Sequence, residues 1–193
     1  MSESNGLPQD VLINIPDNLP VPDDDGACDH LPGLALPSLA LPSTSGTSLD
    51  LSSLSGWTVV YCYPMTGTPG RAIPEGWTAV PGAAGCTPQS HSFRENYPRF
   101  QSLGVHVFGM STQSTADQTE AAQRLQLPYA LLSDSGHAFS AALNLPLFDI
   151  AGMRLLKRIT LILRDGKVVK HFYPVFPPDQ NAGDVLAWLD AHL

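Results

Sequence analysis

The run Trp57-Thr58-Val59-Val60-Tyr61-Cys62-Tyr63 constrains the fold of this chain more than any other stretch. Its β-branched and aromatic side chains follow one another without the alternation of a one-sided strand, so both faces of the strand need cover. Such a strand belongs at the centre of a sheet with a layer on each side. Pro64 ends the run, because its nitrogen has no hydrogen to give a neighbouring strand.

Residues 64–85 hold five glycines and four prolines in no periodic order, and loops of this length inside compact domains are commonly functional or mobile. Regular structure resumes at Cys86-Thr87-Pro88. Thr87 suits a cap, Pro88 suits the first helical position, and Phe93, Tyr97 and Phe100 recur at helical spacing. Cys86 is therefore expected at a helix N-terminus. The pattern further predicts strands over 105–110 and 129–132, and helices over 115–125, 137–143 and 182–192. Residues 158–163 and 167–173 form a predicted hairpin turning at Asp165-Gly166. Strands alternating with helices, then a hairpin and a closing helix, describe an α/β fold with helices on both faces of the sheet.

Ahead of this pattern, residues 1–33 are thick with Pro, Asp and Ser, and Leu19-Pro20-Val21-Pro22 favours extended or polyproline backbone. They are read as an extended N-terminal arm, laid over the domain or loose. Residues 36–41 and 47–51, separated by Ser43-Thr44-Ser45-Gly46, read as a short hairpin opening the globular part. The expected organisation is an arm, 1–33, and one domain, 34–193, since 193 residues suffice for one well-buried core.

The formal charge of -8 leaves no basic stripe to release counterions from nucleic acid. No apolar run reaches the ~18 residues needed to cross a bilayer, and residues 1–26 lack the order of a secretory signal, so the cytoplasm is expected. Cys28, Cys62 and Cys86 are spaced too irregularly for a disulfide framework or a four-ligand zinc site. The acidic run Asp23-Asp24-Asp25 with Cys28-Asp29-His30 mixes hard and soft ligands and is read as solvated charge, so no metal or other cofactor is expected.

Cys86 is the candidate nucleophile. A cysteine attacks as its thiolate, yet a free thiol near pKa ~8.5 is only a few per cent ionised at neutral pH. Lowering that value by ~2.5 units takes roughly 3.4 kcal/mol, whereas a helix N-terminus supplies ~0.3–1 kcal/mol. A fixed cation is needed as well. Arg158 is the better candidate, because an arginine at the head of a buried strand must find an anion or water at the sheet end, where α/β proteins place their sites. Arg94 is expected in a structural ion pair.

The segment Cys86-Thr87-Pro88-Gln89-Ser90-His91-Ser92-Phe93-Arg94-Glu95-Asn96 resembles the active-site helix of the peroxiredoxin Q, or bacterioferritin comigratory protein, family. Tyr63-Pro64, Gly109-Met110-Ser111-Thr112, Leu131-Leu132-Ser133-Asp134 and Arg158-Ile159-Thr160-Leu161 follow in that family's order, and the resemblance runs from about residue 34 to 193. It implies a thioredoxin-like fold with a mixed central sheet. It also implies thiol-dependent reduction of hydrogen peroxide or organic hydroperoxides through a sulfenic acid on Cys86.

The chain departs from the family pattern twice. Counting back from Cys86 puts Ala83 where a threonine or serine is usual and Ala79 where a proline is usual, while Pro64-Met65-Thr66-Gly67-Thr68-Pro69 carries a similar motif earlier. An insertion in the loop accounts for both, with Pro64 shielding the sulfur and either Thr66 or Thr68 supplying the pocket hydroxyl. The second departure is His91 at the position where many members place a resolving cysteine. Five residues along a helix rotate the side chain by ~500°, so His91 faces away from Cys86. Cys62 reads as a small buried side chain, and Cys28, in the arm, is a weak candidate to resolve. The expectation is a one-cysteine mechanism with glutathione, thioredoxin or glutaredoxin as external thiol, in a monomer or homodimer. A thioredoxin-type disulfide oxidoreductase is disfavoured by the lack of Cys-x-x-Cys. A slowly cycling redox sensor or binding module using Cys86 is the alternative.

Overall fold

The computed structural model describes residues 15–193. The first fourteen residues of the expected arm lie outside the described residues. The order of elements is β1 (Leu41–Pro42), β2 (Ser48–Leu49), β3 (Trp57–Cys62), α1 (Cys86–Ser102), β4 (Val105–Ser111), α2 (Thr115–Arg124), β5 (Leu131–Ser133), α3 (Ala138–Ala142), β6 (Leu147–Ile150), β7 (Met153–Leu156), β8 (Ile159–Arg164), β9 (Lys167–Phe172) and α4 (Asn181–Asp190).

The central sheet has the order β5-β4-β3-β8-β9. β3 lies in the middle, parallel to β4 and antiparallel to β8, so the sheet is mixed as expected. Its side chains divide by pleat. Val59 and Tyr61 face a cluster with Phe93 and Phe100 of α1 and Val185 and Leu189 of α4. Val60 and Cys62 face a second cluster with Phe139 of α3, Ile159 and Leu161. The Tyr61 and Phe93 rings stack at 4.4 Å between centroids, seating α1 on the sheet. Each fully buried ring of this size contributes roughly 1.5–3 kcal/mol.

The N-terminal segment differs from a loose arm in its described part. Cys28 and Leu31 are only 1% and 0% exposed and belong to the second cluster. The backbone that follows is tied to β9 and its turn, by Gly33 N–H to the Val168 carbonyl at 2.8 Å and Leu36 N–H to the Gly166 carbonyl at 2.8 Å. The proline-rich composition removes helix as an option without preventing extended backbone from pairing with a sheet edge. The expected hairpin at 36–51 shrinks to two residue pairs, Leu41 with Leu49 and Pro42 with Ser48.

Two further differences bear on the site. The hairpin of β6 and β7 went unread; Ala151 and Gly152 turn it with φ of 49° and 76°, as a tight hairpin turn requires. Helix α1 starts after Gly85 at φ 104°, so Thr87 lies inside the first turn and does not cap. A Cβ on Gly85 would stand 2.6 Å from Pro178 Cγ. The glycine thus lets the strand of chain before α1 approach the turn that precedes α4.

Candidate active site at Cys86

Three segments distant in sequence meet at the start of α1. Cys86 is the first residue of that helix and is 4% exposed. Arg158 stands one residue before β8 and is 3% exposed. Its Nη2 lies 3.2 Å from Cys86 Sγ and also donates to the carbonyls of Ala83 and Ala84, each at 3.1 Å. Nη1 donates to Gln89 Oε1, one turn into α1. Gln89 Nε2 donates to Asn181 Oδ1 at 3.0 Å, and Thr160 Oγ1 donates to the same oxygen at 2.6 Å. The guanidinium is thereby fixed from α1, from β8 and from the first residue of α4.

The charge environment of this arginine is unusual. Among the described residues no carboxylate lies within 4.0 Å of the guanidinium. Its partners are an amide oxygen, two carbonyls and one sulfur, and only the sulfur can carry a full negative charge. A buried cation lacking a counter-charge costs several kcal/mol, which an anion in contact offsets. The N-terminus of α1 adds to this. The amides of Cys86 and Thr87 have no intrahelical acceptor, and Pro88 has no N–H, so the positive end of the helix is presented at the cysteine.

Buried phenols support the helix from behind. Tyr61 donates to Ser90 Oγ at 3.2 Å, and Tyr129 donates to the Ser90 carbonyl at 3.1 Å. Burial pushes both phenols well above their ordinary value, so they remain protonated donors.

A cavity of about 10 Å³, room for about one water, lies beside Cys86. Met65, Gly67, Ile73, Trp77, Gly85 and Thr87 line it with Cys86. The long loop therefore has structure of its own: Trp77 packs with Ala83, Ala84 and Leu155 in a small cluster and lies 6.2 Å from the Phe148 ring. Thr66 and Thr68 line the larger neighbouring cavity, not this one. The Thr66 hydroxyl donates to Gln113 Oε1 at 3.2 Å, and Gln113 returns a bond to the Thr66 carbonyl at 3.1 Å. Pro64 is buried at the end of β3.

The remaining candidates lie elsewhere. Cys28 and Cys62 belong to the cluster on the other face of β3 from Cys86. Burial, with Asp25 next in effect, pushes the Cys28 thiol up to about 12; burial pushes Cys62 higher still. His91 is half-buried on the second turn of α1, and burial, followed by Arg94, holds its imidazole below the usual range. Among the described residues Arg94 forms no ion pair. It donates to the Leu125 carbonyl at 2.8 Å, because the last carbonyls of α2 need a donor. In the acidic cluster, Asp24 and Asp25 accept from the amides of Gly26 and Ala27, and Asp25 pairs with Lys157 at 3.2 Å. Gln89, Asn181 and Trp77 were not singled out from the sequence, since an amide or an indole in a loop or helix carries no motif by itself.

The redoxin family model matches residues 31–186. Among curated proteins, the chloroplastic peroxiredoxin Q of Oryza sativa subsp. japonica is 32% identical over 161 residues, which is 82% of this chain and 66% of that protein. The peroxiredoxin Q of Populus jackii is also 32% identical, over 82% of this chain and 68% of its own length. The chain thus spans about two thirds of the curated relatives it matches. Among solved structures, peroxidoxin BcpB of Mycobacterium tuberculosis superposes with a TM-score of 0.69 at 27% identity, covering 85% of this chain and 99% of that one. The bacterioferritin comigratory protein of Xanthomonas campestris, studied for alkyl peroxide reduction in trapped intermediate and ligand complexes, gives 0.66 at 27% identity, over 82% and 97%.

Proposed function

The chain belongs to the redoxin family and, within it, to the peroxiredoxin Q group, and from that premise we propose that it is a thiol-dependent peroxidase acting through Cys86. The fold is the thioredoxin-like one of the solved relatives. The observation that carries the reading is the 3.2 Å contact between Cys86 Sγ and a buried guanidinium that has no carboxylate partner among the described residues.

In the reaction, the Cys86 thiolate attacks the terminal oxygen of a hydroperoxide. The S–O bond forms as the O–O bond breaks, and the leaving alkoxide or hydroxide takes a proton to become alcohol or water. Negative charge moves from sulfur towards the leaving oxygen in the transition state. Arg158 Nη2 and the free amides of the first helical turn are fixed donors directed at that charge, which is the arrangement that lowers such barriers. Gln89, Asn181 and Thr160 position the guanidinium. Pro64 at the strand end remains the proposed shield, whereas Thr66 and Thr68 line the neighbouring cavity and not the one at Cys86.

The sulfenic acid is returned to thiolate by an external thiol in a one-cysteine cycle. This is supported by the burial of Cys28 and Cys62 in the other core layer and by His91 at the position of a resolving cysteine. A reducing compartment, with the cytoplasm as our reading, is supported by all three cysteines being free. Purified chain should consume hydroperoxide with a thiol donor, and Cys86→Ser should abolish turnover whereas Cys28→Ser should not. Activity surviving Cys86→Ser refutes the proposal. The small cavity beside Cys86, with room for about one water, favours one second reading, a slowly cycling redox sensor; oxidation of Cys86 without multiple turnovers in excess thiol would select it.

A further inference from the structure

Beside the cysteine lies a second cavity of about 390 Å³, within the size range of small-molecule sites. It shares Met65, Gly67 and Ile73 with the small cavity at Sγ, so those three residues form the partition between them. Arg71 and Arg154 stand on its lining, with Asp117 as its one carboxylate among the described residues. We propose that this cavity binds the external reductant, and that the reductant is a small thiol bearing carboxylate groups. The inference rests on the peroxidase reading above and names the second substrate of the same site.

Three observations converge on that occupant. First, both other cysteines lie in the opposite core layer, so the electrons must come from outside the described domain. Second, the cavity beside Cys86 holds only about 10 Å³, and Ile73, Trp77 and Thr87 stand on its lining. A protein thiol would have to displace that cover, whereas a slim molecule in the larger cavity has only the Met65, Gly67 and Ile73 partition to cross. Third, the chain has ten Lys and Arg residues and a charge of -8, yet two arginines share this one cavity. Their side chains are 71% and 64% exposed, in ion pairs with Asp117 at 3.3 Å and Asp149 at 3.5 Å. Exposed pairs of this kind are worth ~0–1 kcal/mol, so a ligand carboxylate can exchange into them at little cost.

The chemistry balances with two molecules of thiol. The sulfur of the first attacks the sulfenyl sulfur of Cys86; the S–S bond forms, the S–O bond breaks, and the departing hydroxide takes the thiol proton to become water. The second thiol attacks the ligand sulfur of this mixed disulfide. The free disulfide forms, the Cys86 thiolate leaves, and the second thiol proton goes to solvent. In sum, two thiols and one hydroperoxide give a disulfide, an alcohol and water.

The test uses the full chain with hydrogen peroxide as oxidant, glutathione as the carboxylate-bearing probe and 2-mercaptoethanol as the neutral one. Turnover with glutathione should saturate. In Arg71→Ala/Arg154→Ala the KM for glutathione should rise about tenfold, the rate with 2-mercaptoethanol should change less than about twofold, and Arg71→Lys/Arg154→Lys should restore the glutathione KM. The site is overturned if glutathione shows no saturation, if both thiols suffer equally, or if only a thioredoxin-type protein supports turnover. Single-turnover oxidation of Cys86 by peroxide in the unsubstituted chain separates the two failures. Its absence removes the peroxidase reading and this site together, while oxidation without selectivity between the thiols removes the site alone.

Discussion

Replacing Arg158 by methionine takes away the cation at the sulfur while keeping most of the side-chain volume. Nη2 is 3.2 Å from Sγ, and at an effective dielectric of ~20 two unit charges at that distance attract by about 5 kcal/mol. Guanidinium charge is spread over three nitrogens and the N-terminus of α1 still supports the anion. About half the attraction, roughly 2.5 kcal/mol, should then be lost from the transition state, a factor of about 70 in rate. Stability should move much less. Lost hydrogen bonds to Gln89, Ala83 and Ala84 are opposed by relief of a buried charge, so a net change of no more than about 2 kcal/mol is expected. Stopped-flow fluorescence can follow the peroxide step, because Trp77 lines the cavity with Cys86; intact mass checks for a one-oxygen adduct, and urea unfolding checks the fold. A folded Arg158→Met chain oxidised within about threefold of the parent rate would refute the electrostatic role.

Gln89→Leu leaves Nη1 of Arg158 without its acceptor and Asn181 Oδ1 with Thr160 as its remaining donor. It should cost roughly 1.5–3 kcal/mol in urea unfolding and slow peroxide oxidation, and Gln89→Glu should recover the stability better than the rate, because a carboxylate there competes with the sulfur for the guanidinium. Cys28 gives a pH test. Its thiol is raised from 9.0 to about 12 in the folded chain, so the unfolded state loses the proton first. The stabilisation is complete below 9.0 and is lost as pH climbs through about 12. Cys28→Ser should flatten that alkaline loss in unfolding curves, and thiol labelling at pH 8 should reach Cys28 only after denaturant; prompt native labelling would contradict its burial.

The central strand, the helix begun by Cys86 and the arginine before β8 could be read because each has a local signature. A β-branched run, a Thr-Pro helix start and a charge entering an apolar strand all occupy a few consecutive residues. The support of Arg158 has none. Gln89 and Asn181 are 92 residues apart and are joined by one amide hydrogen bond, which no periodicity announces. Arg94 was misassigned because its partner is a backbone carbonyl at the end of α2, and carbonyls have no letter in a sequence. The N-terminal segment was expected to lie over the domain or stay loose. Composition excluded helix there, but the burial of Cys28 and Leu31 depended on a core cluster shared with Phe139 of α3 and with Ile159 and Leu161 of β8.

The loop before Cys86 is where departure from the family pattern and site geometry meet. Ala83 stands where a hydroxyl is usual, yet its carbonyl and that of Ala84 both accept from Arg158 Nη2 at 3.1 Å. The alanine side chains meanwhile pack against Trp77 and Leu155. Small apolar residues permit both roles at once, with the methyl groups in the loop's own core and the carbonyls turned to the guanidinium. A hydroxyl at 83 would have to enter the Trp77 cluster, where an unpaired one costs ~1–3 kcal/mol. The loop therefore trades a side-chain donor beside the sulfur for backbone acceptors that aim the cation at it.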